Sequence, residues 1–292
     1  MGKVDSAIDT MNALTRAQGL VSLERRPCPV PPPEHVLVRV RTAGVCRTDL
    51  QVARGELSSA DPVVLGHEFS GEICELGSPH PDFKIGQHVS AIPWHLGSML
   101  GVQQDGAFSS HVLLHASQVI ALPPDMPWRH GAYVEPVAAA LGAVITPLPF
   151  GMVHVLGEGR IAQLTARVLA CLAPETTISI GLDGPEASFD LVVETLPKAD
   201  ILQRALRLVR PGGRVVLKSR ADVNLQLPLK LAISRHASIH PVGHGSFTDA
   251  VDLLHSGALQ IDDLLSDPRP LREWRRAFEE SEATKVFLIP DP

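Results

Sequence analysis

The sequence predicts an α/β protein in two parts, a β-rich half to about residue 145 and a parallel sheet of βαβ units after it. Three observations carry this. Short apolar–polar alternations separated by Gly, Pro and Asp fill the first half. After Phe150, short apolar runs alternate with helical patterns. A glycine-rich turn, Gly157-x-Gly159-x-x-Ala162, stands where the first strand of that second half meets its helix.

Taken in order, residues 1–35 show no clear period and contain the proline-rich run 27–33. Residues 35–41 largely alternate, as a half-buried strand does. Residues 69–76, 87–92 and 108–114 read as further short strands, and many short strands with frequent turns indicate a small barrel or sandwich. The apolar stretch 137–156 is interrupted by Pro147, Pro149 and His154, so it reads as buried helix and strand, not as a membrane span. Residues 151–156 form a strand, and a helix to about Leu172 turns Ile161, Leu164, Thr165, Val168 and Leu169 to one face. Residues 177–182 and 189–194 are the next strands and 200–209 a helix. Pro211-Gly212-Gly213 turns into a strand over 214–218.

With 26 Lys and Arg against 32 Asp and Glu, the net charge of −6 gives no basic footprint for nucleic acid. Aromatics at 4% also argue against a base-stacking surface. Cys28, Cys46, Cys74 and Cys171 are scattered without paired spacing, which fits a reducing cytoplasm. No signal peptide is visible. Met1-Gly2 with Ser6 satisfies the bare N-myristoylation pattern, but nothing else points to a membrane.

The glycine-rich turn has the layout of a dinucleotide fingerprint. Gly157 allows the tight turn, Gly159 lets the backbone approach a pyrophosphate, and Ala162 packs helix on strand. Asp183, at the end of the next strand, is placed to accept from a ribose hydroxyl, which favours NAD because a carboxylate repels the 2′-phosphate of NADP. Six residues then separate Leu182 from Phe189. Successive parallel strands take a crossover of a dozen or more residues, usually a helix, and six extended residues reach only ~20 Å. The expectation is a shortened sheet that lacks a helix and part of the adenosine-side wall.

The other chemical signal lies in the first half. Gly44-Val45-Cys46-Arg47-Thr48-Asp49 is followed by Gly66-His67-Glu68. A catalytic zinc takes three protein ligands and leaves the fourth position open. Cys46 and His67 supply two ligands, and the spacing leaves the third open. Asp49 is placed to orient His67 from behind. His111 and His115 bracket a short strand and are expected not to be ligands.

These motifs, with Asp105-Gly-Ala-Phe, Val134-Glu135-Pro136, Arg210-Pro-Gly-Gly and Lys285-Val-Phe-Leu-Ile-Pro, resemble the zinc-containing medium-chain dehydrogenase/reductase family of the alcohol dehydrogenase type. The resemblance covers nearly the whole chain. It implies a GroES-like catalytic domain over 1–146 and 264–292 and a shortened Rossmann-like domain over 147–263. It implies one catalytic-type zinc on Cys46, His67 and Glu135, with water fourth and Glu68 as an exchanging or supporting ligand. The family's second zinc needs four closely spaced cysteines, and the segment between Pro93 and Asp105 has none.

By the same resemblance, Thr48 would relay a proton from the alcohol, and Gln51 stands where many relatives have a titrating His. Arg47 would meet the cofactor's pyrophosphate. The implied activity is hydride transfer between an alcohol, polyol or carbonyl compound and NAD or NADP, in a homo-oligomer without nucleic-acid or membrane partners. The alternative is a zinc-binding remnant of the fold that acts as a binding or assembly protein.

Overall fold

The structure is a computed structural model that describes residues 10–144, 151–196, 198–219, 226–281 and 284–291. The myristoylation pattern and the expected boundary at 146/147 lie outside the described residues. The chain divides into two compact units, Met1–Glu135 with Asp262–Pro292, and Pro136–Ile261.

The first unit begins with the hairpin β1 (Thr10–Ala17) and β2 (Leu20–Pro27), then β3 (His35–Gly44), α1 (Arg47–Arg54), β4 (Val63–Val64) and β5 (Glu68–Leu76). It continues through β6 (His88–Ala91), the small hairpin β7 (Trp94–His95) and β8 (Ser98–Met99), β9 (His111–His115), β10 (Val119–Ala121) and α2 (Trp128–Ala132). The second unit holds α3 (Val134–Leu141), which begins at the end of the first, β11 (Met152–Leu156), α4 (Arg160–Leu172), β12 (Thr177–Gly181), β13 (Phe189–Glu194) and α5 (Ile201–Leu208). It ends with β14 (Val209–Leu217), α6 (Leu229–Arg235), β15 (Ser238–Pro241) and α7 (Phe247–His255). The chain then completes the first unit with β16 (Arg269–Pro270), α8 (Trp274–Glu280) and β17 (Phe287–Ile289).

Two strands occupy the stretch that shows no period in the sequence. Most of β2 faces solvent, so it carries no apolar alternation to read, and in β1 the consecutive buried residues Ala13, Leu14 and Thr15 break the alternation. The strand expected over 108–114 starts only at His111, and buried Phe108 instead pairs its backbone with Leu14 and Leu65.

In the first unit the central strand is β3, within a seven-stranded sheet ordered β10-β6-β5-β3-β17-β16. Its other edge is shared. β9 pairs with its first half, His35 to Arg39, and β17 with its end, Ala43 and Gly44. Val38, Val40, Phe69, Ile73, Val89, Val112 and Leu114 fill the core between these strands.

The second unit is a five-stranded sheet ordered β12-β11-β13-β14-β15, with every pair parallel. Alternate residues of β13 enter different cores, as a strand buried on both faces requires. Leu191 and Val193 join Ala162, Ala166 and Leu169 of α4, and Val192 joins Leu202, Ala205 and Leu206 of α5.

The short crossover is real, and its geometry differs from the one the residue count suggests. β12 and β13 do not pair. They flank β11 on opposite sides, and residues 182–188 carry the chain across without a helix. β12 is left as the sheet edge, with Ile180 45% exposed.

Gly66 shows how tightly the first unit is built around the motifs. Its φ is +97°, and a Cβ there would lie 2.7 Å from both the backbone N and the ring of Phe108. Gly66→Ala is expected to cost about 2–4 kcal/mol in urea unfolding, from the left-handed backbone and from the clash together.

Candidate functional site

At the end of β3 the chain passes through Val45 into α1, with Cys46 at the N-cap. Asp49, three residues on, accepts the Cys46 backbone N–H through Oδ2 at 2.8 Å and so fixes the start of the helix. Its other oxygen lies 3.0 Å from His67 Nδ1. Both side chains are buried, at 1% and 2% exposure. A carboxylate facing Nδ1 keeps the proton there and leaves the Nε2 lone pair available to a metal.

Next to His67, Glu68 opens β5 with its carboxylate buried. It is ion-paired with Lys285, whose Nζ also donates to the Val45 carbonyl at 3.0 Å. Gly44 makes room for this pair. A Cβ there would lie 2.7 Å from Lys285 Cε and 2.9 Å from Glu68 Oε2.

The charges are mutually dependent. Burial pushes the Cys46 thiol up, but the neighbouring His67 and Lys285 outweigh it and bring its pKa below the ordinary thiol value. For His67, burial opposes the charge, yet Asp49 and Cys46 hold its pKa well above the ordinary imidazole value. Lys285 is pushed down to about 8 by burial, against the pull of Cys46 and Asp49. A thiol of lowered pKa and two buried carboxyl groups thus share one place with an imidazole and an ammonium group.

Among the described residues, the one group of three potential ligand side chains whose ligand atoms all lie within 4.8 Å of one another is Cys46, His67 and Glu68. Sulfur, imidazole nitrogen and carboxylate oxygen together are the donor set of a catalytic zinc. These residues fit such an ion. Glu135 is buried in the first turn of α3 and is not a member of that group. Thr48 Oγ1 lies 3.9 Å from Cys46 Sγ. Thr48 and Gln51 are half-buried, three residues apart on α1, and Arg47 is exposed. His111 and His115 lie outside the group.

Burial, then the charge of Arg39, lowers the pKa of His111 from 6.5 to about 4. The folded protein resists a proton that the unfolded chain takes up below 6.5. Stability is therefore fully present above pH 6.5 and falls toward pH 4, by up to about 3 kcal/mol at this site. His111→Phe is expected to flatten that part of a pH series of urea midpoints.

In the second unit, Gly157 follows β11 with φ at +153°, and a Cβ there would lie 2.2 Å from Thr195 Oγ1 and 3.3 Å from the Ala162 Cβ. The fold itself requires this glycine. Gly159, the N-cap of α4, has an ordinary φ of −75°, and a Cβ there would meet nothing within 4 Å. Among the described residues no contact accounts for Gly159, and the space beside it is open. Asp183 is exposed in the segment after β12.

Sequence reasoning gave Lys285 no role at the site. It lies 217 residues from Glu68, and only its place before the apolar triplet of β17 marks it in the sequence.

A family model described as "Alcohol dehydrogenase GroES-like domain" matches residues 32–124. A sorbitol dehydrogenase of Halalkalibacterium halodurans is 27% identical, with 96% of this chain and 99% of the relative covered. That alignment runs over 343 positions against the 292 residues here, so the relative carries segments that this chain lacks. An L-threonine 3-dehydrogenase of Bacillus licheniformis is 26% identical over the same shares. Among solved structures, a candidate zinc-binding dehydrogenase of Sinorhizobium meliloti bound to NADP superposes with a TM-score of 0.86 at 25% identity, covering 96% of this chain and 99% of that one.

Proposed function

Because the chain belongs to the zinc-containing, alcohol-dehydrogenase-type medium-chain dehydrogenase/reductase family, a family of oxidoreductases, we propose that it transfers a hydride between an alcohol, polyol or carbonyl compound and NAD(P), with one zinc ion. The carrying observation is the buried cluster of Cys46, His67 and Glu68 with Asp49 behind the imidazole. When bound, zinc would polarise the substrate oxygen as a Lewis acid, and the nicotinamide would give or take the hydride.

The chain's own residues have distinct tasks. Cys46 and His67 would hold the ion. Glu68 supports the third position better than Glu135, since its carboxylate already lies among the other two donors. Asp49 fixes the imidazole tautomer. Thr48 is the proposed proton relay, and Gln51, which cannot titrate, would pass the proton on only through water. Gly157, Gly159 and Ala162 would seat the pyrophosphate at the start of α4, and Arg47 would add a cation to it. Asp183 supports NAD over NADP. A cytoplasmic homo-oligomer acting on a small molecule fits this reading, and among the described residues no helix is long and apolar enough to cross a membrane.

One observation favours a second reading, a zinc-holding remnant without hydride transfer: residues 182–188 replace a helix, and β12 is the edge of the sheet. Nicotinamide fluorescence titration of the purified protein separates the two. Saturable NADH or NADPH binding supports the dehydrogenase, and none at millimolar cofactor leaves the remnant. Gly159→Val sharpens the test. With no neighbour to strike, it is expected to leave the urea midpoint unchanged while weakening cofactor binding at least ~10-fold by blocking backbone approach.

A further inference from the structure

The first unit contains a cavity of about 510 Å³ that the proposed dehydrogenase reaction does not use. We infer that it is a second ligand site, for a small organic anion, a carboxylate or phosphate ester with a compact apolar body.

None of Cys46, His67 and Glu68 lines it. Its His35 wall lies at the start of β3, roughly 30 Å along that strand from Gly44, while Gly106 on another wall packs against Gly66. β9, which brings His111 and His115, pairs with the His35 half of β3, and β17 with the Gly44 half. Arg26 comes from β2, and His95 from β7.

The lining has donors without acceptors. Arg26 Nη1 is buried and has no hydrogen-bond partner. The same holds for Nε2 of His111, a residue only 4% exposed. His111 Nδ1 faces Ser110 Oγ at 3.0 Å. In the tautomer that accepts the hydroxyl's hydrogen bond at Nδ1, the ring proton sits on Nε2 and needs an acceptor, as the Arg26 Nη1 donor does. Leaving a buried donor unsatisfied is costly, so an acceptor-bearing ligand is favoured. The acid in the lining is already committed: Asp105 Oδ1 accepts the Val64 N–H at 2.8 Å, and Oδ2 pairs with Arg26 at 3.2 Å.

Three further imidazoles meet here. The rings of His95 and His115 stack at 4.0 Å, and His35 meets His115 edge-on at 5.1 Å. Nδ1 of His115 and of His95 both face Ser117 Oγ, and Nδ1 of His35 faces the Pro33 carbonyl. A metal is disfavoured here. Among the described residues no three of these side chains bring ligand atoms within 4.8 Å of one another. Met11, Pro29 and Val112 line the remainder, which supplies the apolar contact for the body of the ligand.

The test is calorimetric titration of the zinc-loaded protein with benzoate, phenyl phosphate and, as a neutral control, benzyl alcohol. Saturable binding of either anion at about one per chain is expected. It should weaken at least ~10-fold in Arg26→Gln and in His95→Gln and persist in Cys46→Ser. A tenfold preference for phenyl phosphate would identify a phosphate ester as the ligand, and the reverse a carboxylate. No saturable binding of either anion to tens of millimolar would overturn the inference. So would benzyl alcohol binding here equally well, or anion binding lost in Cys46→Ser, which would place the anion at the metal cluster. Because the Cys46→Ser arm does not depend on hydride transfer, failure of the dehydrogenase reading leaves this result interpretable.

Discussion

Cys46→Ser is expected to lower bound zinc from about one atom per chain to below about a tenth, and kcat/KM for alcohol oxidation at least ~10³-fold. A serine hydroxyl does not ionise near neutral pH. It cannot replace a thiol whose pKa His67 and Lys285 hold below the ordinary value. The fold should survive, because Asp49 binds the backbone N–H at position 46 and not the side chain. Elemental analysis with a urea curve on the same sample checks both halves. Unchanged zinc content would remove Cys46 from the site.

The second large effect lies in the ion pair. Lys285 and Glu68 are both nearly fully buried, and removing one partner leaves an uncompensated charge in the interior. Lys285→Met in zinc-free protein is expected to cost about 3–5 kcal/mol in urea unfolding. Pairing it with Glu68→Gln should recover much of that loss, since the double variant buries no lone charge. Zinc should narrow the gap between Lys285→Met and wild type, because the ion gives the Glu68 carboxylate another cation. A cost below about 1 kcal/mol without metal would show that the pair is not needed to hold Glu68.

How much of this was legible depends on distance along the chain. The strand and helix of the glycine-rich turn could be read because strand period, glycine spacing and helix face all lie within 22 residues, 151–172. Cys46, Asp49 and His67 were legible for a similar reason: a short helix and one strand start bring them together. Lys285 was not, since nothing near it in sequence signals a buried cation. The hairpin β1–β2 escaped notice because β2 buries too little to leave a pattern. Counting residues correctly showed that a helix is missing after β12. It could not show that the chain steps across β11, because the count says nothing about which strands are neighbours.

The first unit is assembled from both ends of the sequence, and this sets an order of events during synthesis. β3 is complete once Gly44 has left the ribosome, yet its partner at that end, Phe287 of β17, follows only after the whole second unit has emerged. Until then the Glu68 carboxylate has no Lys285, and the edge of β3 at Gly44 is unpaired. The nascent N-terminal portion must wait in an incomplete state, a long-range closure of the kind that slows folding and invites mispairing. A stalled or truncated product ending before β17 would therefore be an aggregation-prone fragment, not a small working enzyme.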